Sequence, residues 1–174
     1  MYKRQPLAAG GIASNGPANN NLIFITDSKA NEIYGGFTEN SSDDYDAVVN
    51  ANYNTVIINN NSEVISVTGG YTNNGTANNN LVFITDSDTH GDIYGGQSIN
   101  GAADNNIIII SNTDAASGRI TGGSSRTGNV EGNTVLISDN STISGRIYGG
   151  RSSEGDVNGN TVLINNSTLL DNVY

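Results

Sequence analysis

The chain has 174 residues, 29 of them Asn and 22 Gly, so close to a third belong to the two types that most favour turns and most disfavour helix interiors, which excludes a body of long helices. With 35% apolar and 14% charged residues it is too apolar for a solvated disordered tail and too lean for a deep globular core, and a thin, elongated shape fits instead. A net charge of −10 without a basic stripe, the absence of Cys, a single His (His90) and no apolar run of about 18 residues argue against nucleic acid or anionic membrane as partners, against zinc, haem or iron–sulfur cofactors, and against membrane insertion by this segment.

At the start, Met1-Tyr2-Lys3-Arg4-Gln5 is basic, unlike the acidic chain beyond it, and reads as a translated sequencing adapter (GTG TAT AAG AGA CAG, the first codon taken as a start). Residues 1–5 are therefore expected to be an artificial scar outside the fold. Without its two cations, 5 basic residues face 17 acidic ones, a net charge of −12. From residue 6 onward the chain repeats itself. Gly pairs fall at Gly10-Gly11, Gly35-Gly36, Gly69-Gly70, Gly95-Gly96, Gly122-Gly123 and Gly149-Gly150, in steps of 25, 34, 26, 27 and 27 residues. In five units an Asn follows the second Gly by 10 residues; in the other, Gly36 and Asn54 are 18 apart. The eight extra residues predict a surface loop near 40–48, around Ser41-Ser42-Asp43-Asp44-Tyr45-Asp46. The chain stops at Asn172-Val173-Tyr174, where every earlier copy runs on into Gly-Gly, so 6–174 is expected to be a single repeat fragment truncated at both ends. The lack of a signal peptide is then uninformative.

Aligned on the recurrent Asn, the units place Asn21, Asn54, Asn80, Asn106, Asn133 and Asn160 in one column. Two residues on come Ile23, Val56, Val82, Ile108, Val135 and Val162, and four on come Ile25, Ile58, Ile84, Ile110, Ile137 and Ile164. All are β-branched and spaced by two, which predicts a strand with these side chains on one face. A second short strand is expected to end at Ile33, Val67, Ile93, Ile120, Ile147 and Val173, just before the Gly pair. A weaker apolar column, Ala18, Ala51, Ala77, Ala103, Val130 and Val157, lies three residues before the Asn.

Such strands cannot bury a face alone, but stacking pairs each strand with its copy one coil later. The expected fold is all-β: a parallel β-solenoid of about six coils, roughly 27 residues per coil and roughly 29 Å long at ~4.8 Å per coil. The handedness of parallel crossovers favours a right-handed β-helix. Leucine-rich, propeller and calcium-binding nonapeptide patterns are absent. Stacked carboxamides can bond to one another and to turn backbone, so the Asn column reads as a structural ladder at a buried corner.

The stretch Gly145-Arg146-Ile147-Tyr148-Gly149-Gly150 through Asn160-Thr161-Val162-Leu163-Ile164 resembles the Tyr-Gly-Gly and Asn-Thr-Val repeats of autotransporter passenger regions from Gram-negative bacteria, and the likeness extends over residues 7–174. The resemblance implies a secreted or outer-surface β-helical stalk, often adhesive, followed by a C-terminal membrane barrel that this sequence does not contain. It brings no catalytic motif. One departure stands out: the position three after the Asn, often polar in such repeats, holds Phe24, Ile57, Phe83, Ile109, Leu136 and Leu163. Alternating with the inward Val and Ile, these residues should form an outward apolar stripe, the mark of an interaction surface.

Enzymes also use parallel β-helices, and glycoside hydrolysis would need two carboxylates about 5 to 10 Å apart. Asp27, Asp86 and Asp139 share a column, but Asn60, Asn112 and Asn166 complete it, which asks for an Asx turn rather than an ionised acid. The acidic loop with Glu39, Asp43, Asp44 and Asp46 is the one departure from the repeat; it reads as a solvated insertion, with a Ca²⁺ site as the sharper alternative. His90 has no Ser and Asp arrangement beside it. The column Tyr34, Tyr94, Tyr148 and Tyr174, interrupted by Thr68 and Thr121, suits cross-strand packing or stacking on sugar rings. An ice-binding array would need Thr throughout one row, and only Thr55, Thr134 and Thr161 follow the Asn. The expectation is a non-enzymatic stalk or adhesin segment of a bacterial surface or secreted protein, without cofactor or metal. Its expected partners are a host-surface or glycan receptor and further copies of itself; the alternative is a polysaccharide lyase or hydrolase.

Overall fold

The computed structural model describes residues 7–39, 47–115 and 118–174. The expected scar at 1–5 and Asp43, Asp44 and Asp46 of the acidic loop lie outside them. Every strand pairing among the described residues is parallel, and no helix occurs there. Six strands carrying the Val and Ile columns, Leu22–Thr26, Thr55–Asn59, Leu81–Thr85, Ile107–Ser111, Thr134–Ser138 and Thr161–Ile164, stack in direct register as one sheet. A second sheet stacks the strands around the Gly pairs: Leu7–Ser14, Lys29–Glu39, Glu63–Thr72, Ile93–Ser98, Ile120–Ser124 and Ile147–Arg151. In the later coils its leading part continues as the two-residue strands Asp88–Thr89, Asp114–Ala115, Thr142–Ile143 and Thr168–Leu169. Val130–Glu131 and Val157–Asn158 pair as a third ribbon. The chain is a parallel β-solenoid of about six coils, as the repeat predicts.

The alternation of the Val/Ile sheet is kept in space. Val56, Ile58, Val82, Ile84, Ile108, Ile110, Val135 and Ile137 have no exposed surface, and Ile23 and Ile25 are buried at the first coil, while Val162 and Ile164 are only partly covered at the last. They pack against Ile33, Val67, Ile93, Ile120 and Ile147 of the Gly sheet. At about 1.5–3 kcal/mol per fully buried aliphatic side chain, these columns supply the cohesion that the lean composition leaves in doubt. One expectation changes: the second strand does not end before the Gly pair but runs through it, from Lys29 to Glu39 in the second coil. The Gly residues remain extended and pair with one another across coils, Gly36 with Gly70 and Gly123 with Gly150.

The corners account for much of the Asn. Each Val/Ile strand is preceded by a residue in the left-handed region (Asn20, Tyr53, Asn79, Asn105, Gly132, Gly159, φ 55–65°) and followed by another (Asp27, Asn60, Asp86, Asn112, Asp139, Asn166, φ 47–56°). Asn, Asp and Gly tolerate this conformation best, and Tyr53 is the exception. The Gly pair answers a different need, because the strand passes close to the next wall of the coil. A Cβ on Gly96 would lie 2.1 Å from the Ala77 carbonyl oxygen and 2.6 Å from Nδ2 of Asn106. Gly36, Gly70, Gly123 and Gly150 meet the corresponding Asn at 2.5–2.7 Å.

Gly96→Ala is therefore expected to cost at least about 1–3 kcal/mol, because backbone rather than a flexible side chain must move. Tyr53→Asn should instead stabilise the fold by about 1 kcal/mol by relieving a left-handed Tyr. Urea melts of the two variants beside the parent chain check both signs.

Candidate functional site

The Asn column is a continuous ladder. Oδ1 of Asn54 accepts from the backbone N–H and Nδ2 of Asn21 at 3.0 and 2.8 Å, and the arrangement repeats from Asn54 to Asn80, Asn80 to Asn106, Asn106 to Asn133 and Asn133 to Asn160, at 2.8–3.0 Å. Nδ2 of Asn133 and of Asn160 also donate to the carbonyls of Ala103 and Val130, tying the ladder to the apolar column three residues earlier. The four middle members are at most 1% exposed. Their polar groups are spent on one another and on the backbone, which is a structural role.

Two further ladders were not read from the sequence. Ser98, Ser125 and Ser152 donate to the carbonyls of Gly75, Gly101 and Gly128 at 2.8–2.9 Å and accept from the N–H of Gly101, Gly128 and Gly155 at 2.8–3.0 Å. Ser62, Ser87 and Ser141 accept from the N–H one coil earlier, of Ser28, Ser62 and Thr113 respectively, each at 3.3 Å. Their signal was present as hydroxyl columns but is masked by the general abundance of turn residues.

The apolar stripe faces outward, as the alternation predicts. Phe24, Ile57, Phe83, Ile109, Leu136 and Leu163 are direct register partners across the six coils. Phe24 and Leu163, without a neighbour on one side, are each 57% exposed, and the others are half-buried between their neighbours. The adjoining outward row is Leu22, Thr55, Leu81, Ile107, Thr134 and Thr161; Thr134 and Thr161 are neighbours, but Leu81 and Ile107 separate them from Thr55, so the row is not a regular hydroxyl array.

The outer face of the Gly sheet is aromatic and charged. Tyr34 meets Phe37 edge-on with ring centroids 4.9 Å apart, and Phe37 stacks on Tyr71 at 5.0 Å. Burial, then the nearby Glu32 or Glu39 carboxylate, raises the Tyr34 and Tyr71 hydroxyls above their ordinary pKa. Sequence reading missed Phe37 and Tyr71 because their row continues as Gln97, Ser124 and Arg151 and shows no period. The Tyr column stands in register: Thr68 and Thr121 are buried between flanking Tyr residues, and Tyr148 stacks on Tyr174 at 4.8 Å. Asp92 and Arg119 lie on adjacent coils, as their alignment predicts. Arg119 Nη2 donates to Asp92 Oδ2 at 2.8 Å and to the Tyr94 hydroxyl at 2.9 Å, and that hydroxyl donates to Asp92 Oδ2 at 3.0 Å. Burial raises the Asp92 carboxyl, but hydrogen bonds from Arg119 and Tyr94 outweigh it and hold it below the usual range. Burial and then the Asp92 charge push Tyr94 up to about 12.

A concavity of about 320 Å³ lies at the turn after the Val/Ile sheet and is lined by Glu63, Asp86, Asp88 and Asp114 with Asn, Ser and Thr side chains. Glu63, Asp88 and Asp114 occupy one row on successive coils. Lys29 bonds to Glu63 and holds its carboxyl below the usual range, and His90 Nε2 lies 3.5 Å from the same residue. Asp27, Asp86 and Asp139 sit at left-handed corners together with Asn60, Asn112 and Asn166, so their column serves the turn. Among the described residues no group of three or more His, Asp or Glu is arranged to hold a metal ion, and no helix is long and apolar enough to cross a membrane.

The fold and its ladders define the chain as a parallel β-solenoid. No family model, curated protein or solved structure matches it.

Asn106→Ala removes the acceptor of two Asn80 donors, and at about 1–3 kcal/mol per unsatisfied buried group the expected loss is about 2–6 kcal/mol, read as a lowered denaturant midpoint. A second expectation concerns alkaline pH. The Tyr94 pKa is raised on folding, so its contribution is intact below about pH 10, where the unfolded residue ionises, and is lost as pH rises towards about 12. Tyr94→Phe should flatten the fall of stability between those limits, measured by urea melts at stepped pH.

Proposed function

We propose that the chain is a segment of a bacterial surface-exposed or secreted stalk, autotransporter-like in its repeats and non-enzymatic, whose tasks are reach, display and adhesion to a host-surface or glycan receptor. The observation that carries this reading is the contrast between inside and outside. Each coil rebuilds the same Asn, Gly, Val and Ile interior, while outward rows such as Phe37, Tyr71, Gln97, Ser124 and Arg151 vary from coil to coil. A scaffold of this kind adds about 4.8 Å of length per coil and leaves its surface free to present different chemistry at each level. The Tyr34, Phe37 and Tyr71 rings beside the Asp92–Tyr94–Arg119 network combine aromatic surface with directional polar groups, which suits a polyhydroxylated ligand.

A polysaccharide-active enzyme is the second reading, and the cleft with Glu63, Asp88 and Asp114 is what favours it: carboxylates on adjacent and next-adjacent coils are spaced at about 5 and 10 Å, the range glycoside hydrolysis uses. Against it, the hydrogen bond from Lys29 lowers the Glu63 pKa, opposite to the need of a general acid.

The immobilised chain is expected to retain host-type glycans or cells, with Tyr71→Ala weakening retention about tenfold, and to release no oligosaccharide from a polysaccharide panel. No retention, together with release that Asp88→Asn abolishes, would replace the adhesive reading by the enzymatic one.

A further inference from the structure

The outward face of the Val/Ile sheet is set apart by its charge. Its three rows contain Leu22, Thr55, Leu81, Ile107, Thr134 and Thr161, then the Phe24–Leu163 stripe, then Thr26, Asn59, Thr85, Ser111, Ser138 and Asn165. Not one of these positions is charged, in a chain whose net charge is −10. The outer face of the Gly sheet, by contrast, carries Glu32, Glu39, Asp92, Arg119, Arg146 and Arg151. Asp27, Asp86 and Asp139 stand only at the rim of the neutral face, and hydrogen bonds from Ser138 and Ser111 hold the Asp139 carboxyl below its usual range.

We infer that this face pairs with the same face of a second copy, sheet on sheet. Two chains of equal negative charge repel wherever acidic rows meet, and the neutral face is where they approach with least opposition. Its central row is apolar in all six coils, and neighbouring Thr and Ser hydroxyls can still bond to water at the margin. Six strands at ~4.8 Å and five residues at ~3.3 Å make a patch of about 29 by 16 Å, so a face-to-face pair buries on the order of 1,000 Å² in total, the lower bound for a specific interface. Facing sheets would lie about 10 Å apart with the Phe, Ile and Leu side chains interdigitated. The pairing goes beyond the adhesive reading and does not depend on it.

Sedimentation velocity on the 174-residue chain at tens of micromolar is the test. The parent chain is expected to run as a dimer. Phe83→Lys and Phe83→Glu should each weaken pairing at least about tenfold, because an unpaired charge is buried, and an equimolar mixture of the two should restore it. Ser124→Glu, on the outer face of the opposite sheet, should leave the parent affinity unchanged. Circular dichroism controls for folding, and the Leu136→Lys and Leu136→Glu pair on another coil substitutes for any Phe83 variant that fails to fold. A monomeric parent chain, unchanged pairing in the charge variants, no rescue on mixing, or equal weakening by Ser124→Glu would each overturn the inference.

Discussion

The structure depends on how closely two walls of the coil approach, and that distance is set by a carboxamide lying against a glycine. Each ladder Asn presses on the second Gly of a pair, where a Cβ would collide with the Asn and, at Gly36, Gly70, Gly96 and Gly123, with the carbonyl of the Ala column behind it. The amides bond along the rod while the glycines clear the space for them, so neither column works without the other. A side chain at the Gly would push the walls apart and break the amide chain, and an apolar residue at the Asn would leave buried backbone donors without acceptors. This mutual requirement explains why the spacing of 10 residues from Gly to Asn is held in five units while the remainder of the coil varies.

Hydrophobic burial then does what it does in any small core, but in columns rather than in a cluster of unlike side chains. Val and Ile recur at each level because each faces its own copy above and below, and β-branched shapes nest well in that arrangement. Polar ladders at the turns close the section: amides before the Val/Ile strand, hydroxyls after it and again beyond the Gly sheet. The Asn content that looks wasteful in the composition divides between these ladders and the left-handed corners.

Periodicity is why so much of this was legible in the sequence. The Asn, Val and Ile columns, the outward stripe and the Asp92–Arg119 register all follow from aligning six copies, because in a solenoid sequence period and spatial neighbourhood coincide. Features without a period were not legible. Phe37 and Tyr71 come together although their row changes identity at every coil, and the cleft at Glu63, Asp88 and Asp114 involves acids that recur in only part of the repeat. The hydroxyl ladders were missed for the opposite reason, since Ser and Thr are too common at turns to stand out. The extent of the second strand was misjudged because Gly-Gly ordinarily signals a turn, whereas here it is extended chain shaped by a steric limit.

The segment from Gly36 to Asn54 is eight residues longer than its counterpart in the other coils, yet Thr38 still pairs with Thr72 and Leu22 with Thr55. The pitch of the rod is thus uncoupled from the length of chain spent per turn. The register is kept before Glu39 and after Ala47 despite the extra length, so a gene can change the number of residues between these two points without renegotiating the stacking of anything above or below. Selection on the decoration and selection on the shaft then proceed separately, a division of labour that a globular core, with its shared contacts, does not offer.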